Sequence, residues 1–315
     1  VTSTSTSTSA SASHRRFIRI GGVPHHVVVD GSGPVCVLSA GLGMSWFDWD
    51  PVARLLAPSF TVVRFDRPGH GLSGPASTPP TAAGEAHRIA AILDALPAIA
   101  NRFSAGRPAT VVGHSVAGFH AEAFARLHPA RTAAVVLVDS SVEEHARTPA
   151  APALRTAAAR ALAAALTATG APAALGPLAR RATVSLSRTG DGGDPAPDAL
   201  VRRCYRTSRV LRGALLENTH YRAVAAELLA LRDRSPLPDG VPAAVLAAYD
   251  GKGGRSSLRW LDRQRALAGQ LGARFEVAEP SGHLMMLDRP DLVVRAVQEI
   301  QRKGRLRNAE PHPAP

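Results

Sequence analysis

The sequence predicts an α/β protein: a mostly parallel central sheet with helices on both faces, interrupted by a helical insertion. Three observations carry this. Short β-prone runs alternate with helical stretches from Phe17 to Val138, and again from Ala243 to Arg302, as strand–helix crossovers on a parallel sheet require. Runs such as Val35-Cys36-Val37-Leu38 are apolar without alternation, which suits strands buried on both faces. Between the two blocks, residues 141–235 are rich in Ala, Arg and Leu and hold no strand-like run. Residues 15–140 and 241–303 therefore read as the core, and 141–240 as a helical cap over one end of the sheet.

In chain order, residues 17–20 and 25–30 read as a hairpin turning at Gly21-Gly22. Residues 35–38 are a buried strand ending in Ala40-Gly41-Leu42-Gly43. Residues 46–57 read as a helix, with Pro51 tolerated in a first turn. Residues 60–65 form a strand that stops at Asp66-Arg67-Pro68-Gly69-His70-Gly71. Residues 82–96 form a helix with Ile89, Ile92, Leu93 and Leu96 on one face. Strands at 109–112 and 134–138 flank a helix at 116–127. After the cap come a strand at 243–249, a helix at 257–271, a strand at 274–278 and a helix at 290–302. Residues 1–14, where Ser and Thr alternate with no apolar region for a signal peptide, read as disordered. Residues 304–315, ending Pro-His-Pro-Ala-Pro, read as a loose tail.

Composition narrows the function classes. The formal charge of +12 is almost all arginine, scattered through a chain rich in Ala, Gly and Pro. That pattern reads as compositional bias, and no aromatic–basic interleaving points to nucleic acid. No uninterrupted apolar stretch of about 18 residues occurs, so no membrane span is expected. Cys36 and Cys204 stand in no metal-ligand spacing, and two reduced thiols fit a cytoplasmic protein. No metal or organic cofactor is expected.

The chemistry centres on Gly113-His114-Ser115-Val116-Ala117-Gly118. A buried strand here runs straight into a helix with serine at the turn. Small residues two before and two after allow the sharp packing that makes Oγ protrude. Gly113 and Ala117 hold those positions, so the pattern is G-x-S-x-A. His114 is adjacent to the serine, and on a sharp turn its side chain points elsewhere, into a packing or hydrogen-bonding role. Attack on a carbonyl needs two N–H donors for the oxyanion. Val116 follows the nucleophile, and Leu42 lies between glycines after an early strand, so these two amides are the candidates.

The base must arrive at the same edge of the sheet. His283, in Ser281-Gly282-His283, follows the last short strand, and an imidazole can take and return a proton near neutrality. Asp250 ends the strand before it and gives the chain order Ser115, Asp250, His283. Asp139, at the end of the strand before the cap, is the alternative acid. Asp262 and Asp288 read as helix-associated.

These residues resemble the α/β-hydrolase superfamily, in its capped esterase, lipase and C–C hydrolase-like branch. Ala40-Gly41-Leu42-Gly43, Asp66 to Ser73, the Ser115 motif, and Gly282-His283 with Asp288-Arg289-Pro290 carry the resemblance. It implies a loop at 66–73 that buttresses the floor of the active site. Two positions depart from the family pattern: Ala40 stands where the loop usually begins with histidine, and Ala-Ala-Tyr-Asp replaces Gly-x-x-Asp before Asp250. The resemblance implies a serine hydrolase acting on an ester-like bond, and the Ala and Leu content of the cap suggests a small or medium hydrophobic acyl or alcohol group. C–C hydrolysis, acyl transfer or cofactor-free lyase chemistry could use the same residues, and a non-catalytic ligand-binding protein could use the same scaffold.

Overall fold

In the computed structural model, which describes residues 14–104, 107–190, 192–238 and 240–309, eight strands form one sheet. β1 (His14–Ile20) and β2 (Val23–Asp30) make the expected hairpin, and β2 pairs antiparallel with β4 (Thr61–Phe65). β3 (Val35–Ser39), β4, β5 (Ala109–His114), β6 (Thr132–Val138), β7 (Ala243–Ala248) and β8 (Arg274–Ala278) run parallel, in the order β1-β2-β4-β3-β5-β6-β7-β8. His14 already belongs to β1, so the segment expected to be disordered, residues 1–14, ends one residue too late; residues 1–13 lie outside the described residues.

Two helical layers cover the sheet. α1 (Asp50–Leu56) follows a 3₁₀ turn at Trp46–Trp49, so the single helix expected from Trp46 is two pieces, with Pro51 in the first turn of the second. α2 (Ala82–Asp94), the short α3 (Pro97–Ser104) and α4 (Ala117–Leu127) complete the first half. Four helices stand between β6 and β7: α5 (Pro152–Ala168), α6 (Ala171–Ser187), α7 (Asp198–Tyr205) and α8 (Ser208–Arg234). α9 (Arg255–Gln270), α10 (Met285–Asp288) and α11 (Pro290–Ala309) close the chain. α11 runs past the expected tail boundary because residues 301–309 contain no proline to stop it.

Alternation along each strand decides which layer a side chain joins. Val37, Val63, Val111, Val135 and Val245 point to one face, against Ile89 and Leu93 of α2, Phe124 of α4 and Leu267 of α9. Leu38, Val62, Val112, Val136 and Leu246 point to the other, against Val52 and Leu56 of α1 and Val293 and Val297 of α11. Each such side chain is worth about 1.5–3 kcal/mol when fully buried. Parallel strands covered on both faces send all their C-terminal ends to one edge, where loops can converge.

The segment expected to be all cap is not uniform. The second half of α8 buries Val224, Leu228 and Leu231 in the same cluster as α2 and α4. Its Glu227 accepts the Ala82 N–H at 2.6 Å and the Ala83 N–H at 3.2 Å, placing negative charge at the positive end of α2. Arg232 of α8 pairs with Glu122 of α4 at 2.8 Å. One end of this helix is thus fixed to the core while the other reaches over the sheet edge.

Candidate active site

β5 delivers Ser115 to the C-terminal edge in a strained turn. Its φ is +54°, a left-handed conformation that costs a non-glycine residue about 1–3 kcal/mol and persists only where surroundings impose it. The surroundings do so here: the Ser115 N–H donates to Val138 O at 3.2 Å, and Ser115 O accepts from Gly118 and Ser141 at 2.9 and 3.0 Å. A Cβ at Gly113 would lie 2.2 Å from Ala117 O, so glycine is needed before the turn. The methyl of Ala117 is accommodated, fully buried. The close approach falls instead on Gly118, where a Cβ would lie 1.9 Å from Ser140 Oγ.

His283 arrives on the loop after β8. Its Nδ1 lies 2.6 Å from Asp139 Oδ2. With a carboxylate at Nδ1, the proton belongs there and Nε2 keeps its lone pair. Asp139 directly follows β6, is 2% exposed, and has φ +41°. Its second oxygen accepts the Ala248 N–H at 2.9 Å and the Trp260 indole N–H at 2.7 Å. The carboxylate is therefore fixed by groups from β7 and α9, and only one oxygen remains for the imidazole.

The structure does not bring Asp250 to His283, which corrects the first choice of acid. Asp250 lies beyond the end of β7, where its Oδ1 accepts the Lys252 N–H at 3.1 Å in a glycine-rich turn. β6 and β7 pair Val138 with Leu246, so Asp139 stands level with the last residues of β7 while Asp250 has already passed the edge. Asp262 pairs with Arg265 on α9.

His114 sits beneath the pair. Its Nε2 lies 2.9 Å from His283 O, and the two rings are 4.6 Å apart. It thus ties the loop of the candidate base to the residue preceding the candidate nucleophile. Burial, with the neighbouring His283, pushes the His114 pKa well below the ordinary value, so this ring stays neutral. Ser115 Oγ makes no hydrogen bond among the described residues; such links are often long before substrate binds.

The loop after β3 carries Leu42. Neither the Leu42 nor the Val116 N–H donates to another group among the described residues, so both remain available to an acceptor. Arg67 holds this loop from behind: its guanidinium donates to Ala40 O and, at 2.9 Å, to Gly41 O. The same guanidinium grips Glu217 of α8 at 2.8 and 2.9 Å. His70 Nε2 lies 3.2 Å from the other side of that carboxylate. Burial alone would raise the Glu217 pKa, but Arg67 and His70 more than offset it and hold the carboxyl well below the usual range. Arg67 is itself raised, because Glu217 outweighs its burial.

Asp66, its neighbour, organises the rest of the 66–73 loop. It accepts the Trp46 N–H and the Leu72 N–H, each at 3.0 Å, and faces His26 Nδ1 at 3.0 Å. Gly71 must be glycine here, since a Cβ would lie 2.1 Å from the Asp66 carboxyl.

Beside Leu42-Gly43-Met44 opens an apolar cavity of about 440 Å³, walled by Leu166, Leu175, Tyr205, Val210 and Leu211 of the inserted helices. It adjoins the loop of the candidate oxyanion donor rather than Ser115 itself. Tyr205 OH donates to Gly43 O at 2.8 Å and fixes that wall.

Sequence reasoning missed Trp260, Glu217 and the full role of Asp288. Asp288 accepts from Arg188 at 2.7 Å, Thr189 N–H at 2.9 Å and Gly282 N–H at 2.9 Å, so it joins the end of α6 to the His283 loop. Its place in Asp288-Arg289-Pro290 was a signal; nothing local marks Trp260 or Glu217.

Comparison with known proteins agrees with this architecture. The structure of Cfl2 from Burkholderia cenocepacia is similar with a TM-score of 0.69 at 20% identity, covering 94% of this chain and 98% of its own. The enol-lactonase from Burkholderia xenovorans LB400 is similar with a TM-score of 0.58 at 23% identity, covering 91% of this chain and 100% of its own. At such identities the likeness establishes the fold. The alpha/beta hydrolase family matches residues 36–296. A match of that extent, on a sheet of this order, makes the chain a member of the α/β-hydrolase family.

Proposed function

We propose that this protein is a serine hydrolase that cleaves an ester-like bond of a small or medium hydrophobic substrate through an acyl-enzyme. The observation that carries the reading is the 2.6 Å contact of His283 Nδ1 with a buried, doubly anchored Asp139, on the same edge as a serine held at φ +54°. His283 Nε2 takes the Ser115 proton as Oγ attacks the carbonyl carbon, and Asp139 stabilises the imidazolium. The Leu42 and Val116 N–H groups receive the oxyanion, each donor worth about 2.7–4 kcal/mol in the transition state. The proton passes to the departing alcohol oxygen as the C–O bond breaks. Water then attacks the acyl-enzyme with His283 again as base, and Ser115 recovers its proton.

The 440 Å³ apolar cavity supports a hydrophobic acyl or alcohol group beside Leu42. Labelling with a fluorophosphonate probe tests the nucleophile. Wild type is expected to label and Ser115→Ala to remain unlabelled, while His283→Ala labels far more slowly. A series of p-nitrophenyl esters is expected to show kcat/KM rising from acetate to medium chains. Unchanged labelling of Ser115→Ala, or turnover that survives in it, would end this reading.

A further inference from the structure

α5 and α6 meet at a bend of 105°. Along α6, Leu175, Leu178, Ala182 and Leu186 recur at spacings of three and four, and the leucines are 59%, 64% and 87% exposed. Residues so spaced share one face of a helix, so α6 carries an uncovered apolar stripe. α5 repeats the pattern with Leu154, Ala158 and Leu162, all exposed. Isolated surface leucines are ordinary; a set gathered on two adjoining helices marks an interaction surface. No single helix among the described residues is long and apolar enough to cross a membrane.

Charge identifies the partner. Residues 146–190 contain six arginines and no Asp or Glu. Arg180, Arg181 and Arg188 are matched by Asp48, Asp194, Asp198 and Asp288 from other segments. Arg155 is exposed on α5 at the edge of its leucine stripe, and Arg206 is exposed beside the start of α6, where its Nε donates to Ala173 O at 3.1 Å; Arg160, on the opposite side of α5, donates to Ser77 O at 3.0 Å. Among the described residues none of these three pairs with a carboxylate.

We propose that the α5–α6 face docks on an anionic lipid surface, with its leucines in the acyl boundary and Arg155 and Arg206 toward the headgroup phosphates. Helices with apolar stripes and flanking arginines lie in that plane by combining apolar burial with attraction to anionic lipid. The formal charge of +12 adds long-range attraction. A second copy fits less well, because a two-fold contact would set the unpaired Arg155 and Arg206 against their own copies. Leu175 also lines the apolar cavity, so docking brings that cavity to the lipid.

Flotation of the full chain with vesicles of equal parts phosphatidylcholine and phosphatidylglycerol, and with phosphatidylcholine alone, tests the proposal. Wild type is expected to float with the anionic vesicles and to be released by salt. Leu178→Glu with Leu186→Glu is expected to lower binding about tenfold or more. Arg155→Gln with Arg206→Gln should lower it about tenfold on the anionic vesicles. None of these four residues lines the cavity or the serine site, so turnover of a short soluble ester checks that the variants fold. Absence of wild-type flotation overturns the proposal, as does flotation unchanged by the leucine pair. A solution dimer that the leucine pair dissolves, without vesicle binding, overturns it in favour of a second copy. Flotation does not read turnover, so a failure of the serine-hydrolase reading would be seen separately.

Discussion

Two neighbouring parallel strands each deliver an aspartate toward the same edge of the sheet. After β6, Asp139 is buried, with one oxygen held by a backbone amide and an indole and the other facing an imidazole at 2.6 Å. After β7, Asp250 sits in a turn and closes a local bond to Lys252 N–H at 3.1 Å. Both residues have the same functional group and nearly the same topological position. What separates them is three residues along the strand direction, since the Val138–Leu246 pairing sets Asp139 level with Ala247. That small difference puts Asp139 among donors from other segments and leaves Asp250 only its own turn. A carboxylate can orient an imidazole only if it is itself held, because a free one reorients or is solvated.

The largest expected effect breaks the pairing directly. Asp139→Asn keeps the shape but removes the charge and favours the wrong imidazole tautomer. On the proposed mechanism kcat should fall by on the order of 10³–10⁴, measured on a p-nitrophenyl ester. A fall below tenfold would remove Asp139 from the site. Trp260→Phe should be milder, because it removes one of two donors to Oδ1 and leaves Oδ2 untouched. A loss of about tenfold in kcat with little change in KM is expected, since a hydrogen bond to a charged group is worth about 1.5–3 kcal/mol and part of it is regained from Ala248.

A similar contrast between held and unheld groups applies to the loop after β3. Arg67 bonds both Ala40 O and Gly41 O while Glu217 neutralises it. Arg67→Met takes from the buried Glu217 its principal partner and leaves it only His70 at 3.2 Å, so stability should fall by about 3–5 kcal/mol. Arg67→Met with Glu217→Met removes that penalty. In the double variant kcat is expected to stay about tenfold low, because the loop bearing Leu42 has lost its clamp. A double variant with wild-type kcat would show that the pair serves stability alone.

The alternation of strand and helix was readable because burial on both faces and helical periodicity are written locally. So were the positions of Ser115 and His283 at strand ends, each marked by a nearby glycine, Gly113 and Gly282. The carboxylate that faces His283 was less readable. From the sequence Asp139 and Asp250 both end strands, and the choice depends on register between β6 and β7, which pairing fixes and neither segment encodes alone. Trp260 and Glu217 were invisible for the same reason: their partners are 121 and 150 residues away in the chain. Cap helices α5 and α6 were readable as helices, but not which of their leucines stay uncovered, because alanine-rich segments present weakly contrasted faces.

The smallest expected effect on activity comes from pH below neutrality acting through a residue outside the site. His120, buried in α4 with neither ring nitrogen hydrogen-bonded, has its pKa lowered by burial from 6.5 to about 4. A histidine depressed in the folded state favours unfolding as protons bind, because the unfolded chain takes them up first. Its contribution to stability is complete above about pH 6.5 and is lost as pH falls toward about 4, a change on the order of 3 kcal/mol. His114, also depressed, acts in the same direction. Urea unfolding of wild type should therefore show stability declining from pH 6.5 to 4.5. His120→Met should flatten that decline while leaving kcat at pH 7.5 within about twofold, since surface and core changes away from the reacting groups alter stability rather than chemistry. Asp250→Asn offers the matching control at the sheet edge: its carboxylate holds only a turn, so neither the unfolding profile nor kcat should move beyond about twofold. If Asp250→Asn instead depressed kcat as Asp139→Asn does, the two strand ends would have to be regarded as sharing the work of orienting His283, and the distinction between a held and an unheld carboxylate would fail.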